Sequence, residues 1–397
     1  MSTERIISPF GEIASFVSGN RPQGGVGQIK EGALSLGGEH VGVDGKLALT
    51  TPKYVPLDYF NNNPKGHVLS GDILLCKDGA LSGKVALERG ELSGFQSMVN
   101  EHVFIIRTSE LNQKYLFYYL FSPVGQRLLK GIVTGAAQGG INGKNLKSIP
   151  VVYPDSLNKQ QRIVDELDLL TGIINKKNAQ LRDLDALAQS IFYEMFGDPA
   201  INEKGWPVKL ISDLFDVGSS KRVFESEWRD AGVPFYRARE IVRLSKGLPL
   251  EDPIYIEESL FSAYKEKYGI PAVGDIMVTG VGTLGICYLV KKEDRFYFKD
   301  GNTLWFRDKH IANSRFIKDQ YSTDFVKDQI KENAHGATVG TYTIVNAKKT
   351  RVICPPVELQ NEYVKTVQAV DEQKLLIEKS IIDTQNLLNS RMHKYFA

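Results

Sequence analysis

The sequence contains one long unit twice, and this internal repeat constrains the fold more than any other feature. The run Gly71–Leu75 (GDILL) returns as Gly274–Val278 (GDIMV), 203 residues later. Four matches in the same order predict two copies of one structural unit, so this chain of 397 residues should hold at least two lobes. The other three pairs are Val103–Arg107 with Thr303–Arg307, Gly135–Ala137 with Gly336–Thr338, and Gln160–Val164 with Gln360–Val364.

Each unit divides into a glycine-rich lobe and a long helix-like segment. Of the 36 glycines, 34 lie outside residues 157–203 and 358–397. In the lobes, short apolar runs alternate with turn signals, which predicts strands and hairpins with a few short helices, among them Gln113–Lys130 and Phe316–Glu332. The predicted fold class is α+β, with two mainly β domains at residues 1–156 and 198–357, each followed by a spacer helix at residues 157–197 and 358–397.

Both spacer segments carry an apolar stripe with the three- and four-residue spacing of a coiled-coil seam. One lysine in each, Lys177 or Lys374, occupies a seam position, where it could fix the register or extend to solvent. We expect the two helices to pair antiparallel, although a helical hairpin that merely buries its own apolar face would explain the stripes equally well. The predicted interface residues are Leu167, Leu170, Ile174, Leu181, Leu184, Ile191, Val367, Val370, Ile377, Ile381 and Leu388.

The charge distribution allows the lobes to bind a polyanion but does not require it. Residues 1–156 carry 15 Lys and Arg against 13 Asp and Glu, and residues 204–357 carry 24 against 20. The absence of a long apolar run and of a signal-peptide core predicts a cytoplasmic protein that does not enter a membrane. Cys76, Cys287 and Cys354 are far apart in sequence and odd in number, which argues against disulfides or a Cys-based zinc site and predicts buried thiols.

The motifs do not favour an enzyme. Gly280–Gly285 formally matches the dinucleotide fingerprint, but the apolar run Ile286–Val290 follows where a Rossmann loop needs a helix, so we expect a hairpin turn. The six histidines lack metal-ligand spacing, and Asp371–Lys374 lies inside the second predicted helix. The sequence also lacks the Asn-Pro-Pro-aromatic motif of amino-methyltransferases. We therefore expect a non-catalytic chain with no cofactor and no metal ion.

Motifs in both repeats resemble those of the specificity subunits of type I restriction-modification systems. The first repeat has a glycine-rich run, a strand that ends in proline, and a Gln-rich start to the long helix. The second version is looser, with Asn361-Glu362 in place of Gln161-Arg162. The resemblance covers essentially the whole chain. Its motifs are Gly135–Asn142, Leu146, Ile149–Pro154 and Gln160–Val164, then Trp206-Pro207, Leu210, Val217–Lys221, Gly336–Thr338, Val352–Pro356 and Leu359–Glu362.

The resemblance implies two target-recognition domains joined by two helices that form an antiparallel coiled coil. It implies that each domain reads one half of a split, asymmetric site in double-stranded DNA, while the helices set the unread gap and dock two adenine methyltransferase (modification) subunits. Restriction and translocase subunits attach to that complex where a system has them, and the specificity subunit performs no chemistry. A hypothesis from another class is a non-enzymatic, two-lobed protein-binding scaffold.

Contacts to base edges and phosphates call for Arg, Lys, Asn, Gln, Ser and Thr side chains on loops. Each candidate could equally serve the fold: Arg237 and Arg239 could pair with Glu240 or other acids, and Gln138 could cap a turn. The candidate DNA-contacting residues are Lys77, Lys84, Gln138, Asn142, Lys144 and Asn145 in the first lobe, and Lys221, Arg222, Arg237, Arg239, Thr283, Thr338 and Tyr342 in the second.

Overall fold

The computed structural model describes residues 5–26, 29–135, 139–333 and 340–397. The chain forms two compact units, Met1–Gln180 with Ile377–Ala397 and Leu181–Leu376. Each unit contains one lobe and part of each of the two long helices. Within the described ranges, no helix combines the length and the apolar composition needed to cross a membrane.

The first repeat ends in a helix of 40 residues. In chain order, its elements are β1 (Arg5–Pro9), α1 (Phe10–Ile13), β2 (Ser15–Ser18), β3 (Ala33–Leu36), β4 (Tyr54–Val55), α2 (Leu57–Asn62), β5 (Ile73–Cys76), β6 (Val85–Leu87), β7 (Ser97–Val99), β8 (Val103–Arg107), α3 (Gln113–Phe121), α4 (Pro123–Gly131), β9 (Val133–Thr134), β10 (Gly140–Ile141), α5 (Gly143–Ser148), β11 (Pro150–Pro154) and α6 (Leu157–Phe196).

The second repeat also ends in a helix of 40 residues. Its elements are β12 (Val208–Leu210), α7 (Ile211–Leu214), β13 (Phe215–Gly218), β14 (Trp228–Arg229), β15 (Val233–Tyr236), α8 (Ala238–Ser245), β16 (Ile254–Ile256), α9 (Glu258–Tyr268), β17 (Ile276–Thr279), β18 (Cys287–Leu289), β19 (Tyr297–Phe298), β20 (Thr303–Asp308), α10 (Ser314–Gln320), α11 (Asp324–Asn333), α12 (Ile344–Lys349), β21 (Arg351–Ile353) and α13 (Val357–Phe396).

The two lobes share the topology of their main sheet. Its strand order is β2-β8-β5-β6 in the first lobe and β13-β20-β17-β18 in the second, with antiparallel neighbours throughout. A two-stranded pair, β1-β11 or β12-β21, accompanies each main sheet. The second sheets differ, because β4-β3-β7 has three strands and β14-β16-β15-β19 has four. The sequence repeat is therefore a repeat of topology, and the predicted α+β fold class is confirmed.

The glycine-rich motif of the second lobe forms a hairpin turn. β17 and β18 pair antiparallel on either side of it, so the predicted turn is confirmed where a Rossmann loop would enter a helix. Gly282 and Gly285 have φ angles of 69° and 74°, a region that favours glycine. A Cβ on Gly285 would also lie 2.5 Å from a side-chain carbon of Ile330 on α11. The turn is thus held by close packing.

Two helices that the sequence predicted as single are each divided in two. Gln113–Lys130 is α3 and α4, because Ser122 caps α4 through the Gly125 N–H (3.1 Å) and Pro123 occupies the first turn. Phe316–Glu332 belongs to α10 and α11, which are separated by a turn in which the Thr323 hydroxyl donates to the Gln320 carbonyl (2.6 Å). The prediction of continuous helices was wrong, and Pro123 was the sequence signal for the first break.

The core of each unit includes aromatic residues from a long helix. In the first unit, the ring of Phe396 on α13 lies 5.4 Å from Tyr115 and 5.7 Å from Tyr119, both on α3. In the second unit, Phe196 on α6 lies 4.8 Å from Phe316 and 5.5 Å from Tyr363. All of these side chains are buried, so in each unit the lobe and the helices share one core.

The long helices pair antiparallel within each unit. In the first unit, Glu166 lies 2.9 Å from Arg391 and accepts from Tyr395, and Lys177 donates to Ser380 further along the pair. The residue numbers of the partners thus fall along α13 as they rise along α6. The predicted antiparallel coiled coil is confirmed. All eleven predicted interface residues are buried or partly buried.

Both seam lysines have partners in their own unit. Lys177 on α6 donates to the hydroxyl of Ser380, and Lys374 on α13 pairs with the carboxylate of Asp185 at 2.5 Å. The Lys374 side chain is about one quarter exposed, and Lys177 is partly buried. Each lysine thus has a partner on the opposite helix, a hydroxyl for Lys177 and a carboxylate for Lys374. Such partners are expected for a polar seam residue that fixes the register.

A buried glutamine joins the start of each long helix to its lobe. The side-chain oxygen of Gln160 accepts from the Asn112 N–H (2.9 Å), and its amide donates to the Pro154 carbonyl (3.1 Å). In the second repeat, Gln360 accepts from the Asn313 N–H (2.8 Å). Its amide donates to the Pro355 carbonyl at 2.7 Å. Each amide therefore links the lobe to its helix.

We expect Gln360→Leu to lower the free energy of unfolding by about 2–4 kcal/mol, because the Asn313 N–H and the Pro355 carbonyl would each lose a partner. Gln373→Leu, on an exposed face of the same helix, is the matched control and should change it by less than about 0.5 kcal/mol. Urea unfolding of the full chain measures both values. Equal effects of the two substitutions would contradict this role.

Candidate nucleic-acid interface

Three segments of the first lobe meet on one surface. The Gly79 N–H donates to the Gly139 carbonyl (3.1 Å), and the Ile141 N–H donates to the Lys77 carbonyl (2.7 Å). The side-chain amide of Gln126, on α4, donates to the carbonyl of Gly83 at 2.9 Å. We call the described residues 77–84, 123–131 and 139–145 the first-lobe loop surface, since these bonds hold them together.

The three first-lobe lysines predicted to contact DNA lie on this surface. Lys77 lies 3.9 Å from the Asp78 carboxylate, with its ammonium group 5.1 Å from the centre of the Phe104 ring. Lys84 is partly buried, and Lys144 is exposed. Neither of these two side chains forms an ion pair or a hydrogen bond with a residue that the structure describes. Both are therefore available to bind an anion.

Of the two asparagines of the same surface, Asn142 has a structural role. Asn142 is the N-cap of α5, and its side-chain oxygen accepts from the Asn145 N–H at 2.8 Å. The side chain of Asn142 is exposed beyond that bond, and Asn145 is partly buried. Gln138 lies outside the described residues. The structure thus brings together five of the six first-lobe candidates and assigns a capping role to Asn142.

The second-lobe candidates near the equivalent hairpin turn differ in exposure. Thr283 is exposed at the turn, and its carbonyl accepts from the Thr279 hydroxyl. Tyr342 is 1% exposed, and its hydroxyl lies 3.1 Å from that of Tyr321 and 2.6 Å from that of Thr350. Burial raises the pKa of Tyr342 to about 12. The buried Tyr342 is a correction to the candidate set, because its hydroxyl is used inside the lobe. Thr338 lies outside the described residues.

Lys221 and Arg222 lie beside the second sheet of the same lobe. The backbone N–H of Lys221 donates to the hydroxyl of Tyr297, on β19, at 3.0 Å. Its ammonium group lies 5.6 Å from the Tyr268 ring centre, within range of a cation–π contact. The Arg222 guanidinium lies 3.2 Å from the Asp300 carboxylate, and both cationic side chains are exposed. The second-lobe candidates are therefore divided between two places.

Arg237 and Arg239 form the ion pairs that the sequence left open. Glu240 is 1% exposed, and its carboxylate lies 2.8 Å from the Arg237 guanidinium and 3.0 Å from that of Arg239. Burial alone would raise the pKa of Glu240, but the hydrogen bonds from both arginines and the nearby positive charge outweigh it and hold the pKa below its ordinary value. Arg239 also donates to the Glu251 carbonyl (3.0 Å). These two cations compensate a buried carboxylate.

Two cations of the first-lobe loop surface were missed at the level of sequence. Arg127 and Lys130 lie three residues apart on α4 and are exposed. Neither forms an ion pair or a side-chain hydrogen bond with any described residue. They were excluded because the candidate DNA-contacting residues were restricted to loops. The sequence signal was two cations in a nine-residue helix that contains no acid.

The family of the chain follows from its sequence. The model described as the type I restriction modification DNA specificity domain matches twice, over residues 21–183 and 203–384. The chain belongs to this family of specificity subunits. The two matched stretches correspond to the two repeats, and the resemblance found in the motifs is confirmed. Specificity subunits are the non-catalytic, DNA-specifying component of type I restriction-modification systems.

Relatives and solved structures agree with this placement. The specificity subunit is 25% identical over 311 residues to a Haemophilus influenzae protein named as a type I restriction enzyme specificity subunit, covering 76% of this chain and 75% of the relative. The crystal structure of the S subunit from M. genitalium has a TM-score of 0.57 at 13% identity, covering 100% of this chain and 97% of that one. A structure from work on complex assembly and conformational transition of the type I system has a TM-score of 0.55 at 15% identity, covering 98% and 97%. These structures share the fold.

We expect Glu240→Gln to lower the free energy of unfolding at pH 7 by about 1–3 kcal/mol, because Arg237 and Arg239 would lose their shared counter-charge. Since the folded pKa lies below the ordinary value of 4.5, the carboxylate stabilises the fold above that pH, and its contribution disappears as the pH falls through the folded pKa. Urea unfolding at a series of pH values should show the difference between the two proteins shrinking below about pH 4.5.

Glu251→Gln is the matched control for this test. Glu251 pairs with Arg243 at 3.0 Å, but its side chain is 70% exposed, and such pairs contribute at most about 1 kcal/mol. A pH-dependent loss of the same size in this variant would show that burial of Glu240 is not the cause.

Proposed function

We propose that the specificity subunit reads a split, asymmetric site in double-stranded DNA, with one half read by each lobe. The supporting observation is that the lobes share a main-sheet topology but carry different side chains at equivalent positions of the adjoining turn and helix. Equivalent positions hold Lys84 and Ile286 at the hairpin, and Lys144 and Val345 at the following short helix. Similar frames with different side chains suit two unlike half-sites, because bases are distinguished by the donors and acceptors that each lobe presents.

The target-recognition domains in this proposal are residues 1–156 and 198–357. The segments 157–197 and 358–397 act as spacers and set the length of the gap between the half-sites. Support comes from the antiparallel pairing of α6 and α13, because paired helices with a fixed register are stiffer than a flexible linker. The scaffold alternative uses the same architecture but requires protein ligands in place of DNA.

The proposal includes docking of two adenine methyltransferase subunits on the helices. Leu187 on α6 and Leu387 on α13 lie 200 residues apart and are 47% and 45% exposed. Two copies of one partner need two equivalent surfaces, and an exposed leucine at the same position of each helix supports such a pair. One of the similar structures comes from work on assembly of the type I complex, and we infer that this chain assembles likewise. Restriction and translocase subunits would join where the system has them.

We expect Leu187→Glu and Leu387→Glu each to reduce the complex from two bound methyltransferase subunits to one, because a buried charge opposes docking of an apolar surface. Native mass spectrometry of the reconstituted complex measures the stoichiometry. Leu375→Glu is the control, since Leu375 is 67% exposed but its repeat counterpart is Asn175. Loss of both copies in a single variant, or of none in the double variant Leu187→Glu/Leu387→Glu, would contradict equivalent docking. Recovery of another stable partner and no methyltransferase would favour the scaffold.

We expect the unaltered chain and its cognate methyltransferase to produce methylated adenine at one split motif in cells. The double variant Lys221→Gln/Arg222→Gln should relax base preference in one half of that motif and leave the other half unchanged, because both residues lie in one lobe. Methylome sequencing measures the motif. If the unaltered chain yields no split motif, the proposed function is wrong. Altered preference in both halves would contradict the assignment of one half to each lobe.

A further inference from the structure

The first-lobe loop surface has a strong excess of positive charge. Its described segments carry five cations and one acid, Asp78. The residues between them that lie outside the described ranges, 136–138, contain no charged side chain. Asp78 itself has two neighbours, since its carboxylate lies 3.1 Å from the ring of His102 and 3.9 Å from the ammonium group of Lys77. The five cations are Lys77, Lys84, Arg127, Lys130 and Lys144.

The second lobe has the same local architecture at the equivalent place. Leu129 on α4 lies against Gly83 of the first hairpin turn, and Ile330 on α11 lies against Gly285 of the second. Thr343 is the N-cap of α12, as Asn142 is the N-cap of α5. The equivalent segments are residues 279–286, 324–332 and 340–346. A comparison of charge between the two surfaces is therefore a comparison of corresponding positions.

The equivalent surface of the second lobe has lost the positive charge. Its segments contain two cations, Lys327 and Lys331, against three acids, all of them on α11. The position of Arg127 is taken by Asp328, whose carboxylate pairs with Lys331 at 2.9 Å. The intervening residues 334–339 contain no Lys, Arg, Asp or Glu. Where the first lobe presents unpaired cations, the second presents an ion pair and a net negative charge.

Three lysines of the second lobe lie around its other sheet instead. The ammonium groups of Lys221 and Lys267 lie 5.6 and 5.4 Å from the centre of the Tyr268 ring. Lys299 lies 5.8 Å from the Trp228 ring centre. The β14-β16-β15-β19 sheet beside these residues has one strand more than its counterpart in the first lobe. These three lysines and the unpaired cations of the first-lobe loop surface therefore lie on surfaces that do not correspond.

We propose that the first lobe holds the DNA backbone through Lys84, Arg127, Lys130 and Lys144, and that the corresponding surface of the second lobe makes no such contact. This inference rests on the proposed function, since it assigns the phosphate contacts of that same site. Arg127 and Lys130 are neighbours on one helix face, with Cβ atoms about 5–6 Å apart, so both can reach the same backbone strand. Cations without an acidic partner exchange only water and counterions for a phosphate, which favours binding to DNA.

The consequence is an unequal salt dependence of the two lobes. Each phosphate neutralised on duplex DNA contributes about 0.9 to the slope of log affinity against log salt concentration. Removal of three contacting cations from the first lobe should therefore reduce the magnitude of that slope by about 2.7. Removal of the two cations from the equivalent surface of the second lobe should leave it unchanged.

The test uses the full chain and a random-sequence DNA duplex of about 40 base pairs, roughly four helical turns. The first-lobe variant is Lys84→Gln/Arg127→Gln/Lys130→Gln, and the matched second-lobe variant is Lys327→Gln/Lys331→Gln. Fluorescence anisotropy measures the affinity between about 50 and 200 mM NaCl. Over that range, the unaltered chain should lose about 40-fold more affinity than the first-lobe variant, and the second-lobe variant should follow the unaltered chain.

Each other outcome has a definite meaning. Equal slopes for the unaltered chain and the first-lobe variant, or an equal change in both variants, would overturn the inference and leave the proposed function intact. Failure of the unaltered chain to bind DNA at low salt would overturn the proposed function itself. Thermal unfolding separates loss of contacts from loss of fold. The single variant Arg127→Gln, at an exposed position, should lower the slope by about 0.9 without a change in the unfolding temperature.

Discussion

Burial of helix aromatic residues in the lobes is the interaction on which the rest of the structure depends. Phe396 of α13 packs against α3 in the first unit, and Phe196 of α6 packs against α10 in the second. An aromatic side chain removes about 150–250 Å² from water, so these contacts are among the largest single contributions to each core. Neither the lobe nor the helix pair could bury this surface alone. Each unit is therefore expected to fold with the lobe and the helices together.

Along the helix pair, apolar burial is greatest where the helices meet a lobe and weaker farther away. Leu167 and Leu388 are buried beside the first lobe, whereas Ile174 and Ile381 are only partly buried. The polar seam partners lie in these weaker parts of each unit. Two helices can shift along each other where the apolar seam between them is only partly buried. A charged side chain at a seam position, by contrast, meets its partner in one register only. Lys177 therefore adds alignment where packing alone specifies less.

The sequence was sufficient for features that arise from periodicity and local turn chemistry. The repeat, the coiled-coil stripes and the hairpin at Gly280–Gly285 all follow from spacing, and the structure has each of them. It was not sufficient for the burial of Tyr342, because burial depends on Tyr321 and Thr350, which reach it through tertiary packing. The same limit applies to Glu240: its spacing from Arg237 permitted an ion pair, but only the fold shows that the carboxylate is buried.

The two copies of the repeat separate the residues that the fold requires from those that it does not. Gln160 and Gln360 make the same pair of hydrogen bonds, since a different side chain there would leave backbone groups without partners. Arg127 and Asp328 occupy corresponding exposed positions, where packing imposes no choice of charge. A duplicated fold can therefore keep the same core while the charge of its surface residues changes from positive to negative. In the proposed function, two half-sites of unlike sequence are bound through unlike contacts without a change in the fold that presents them.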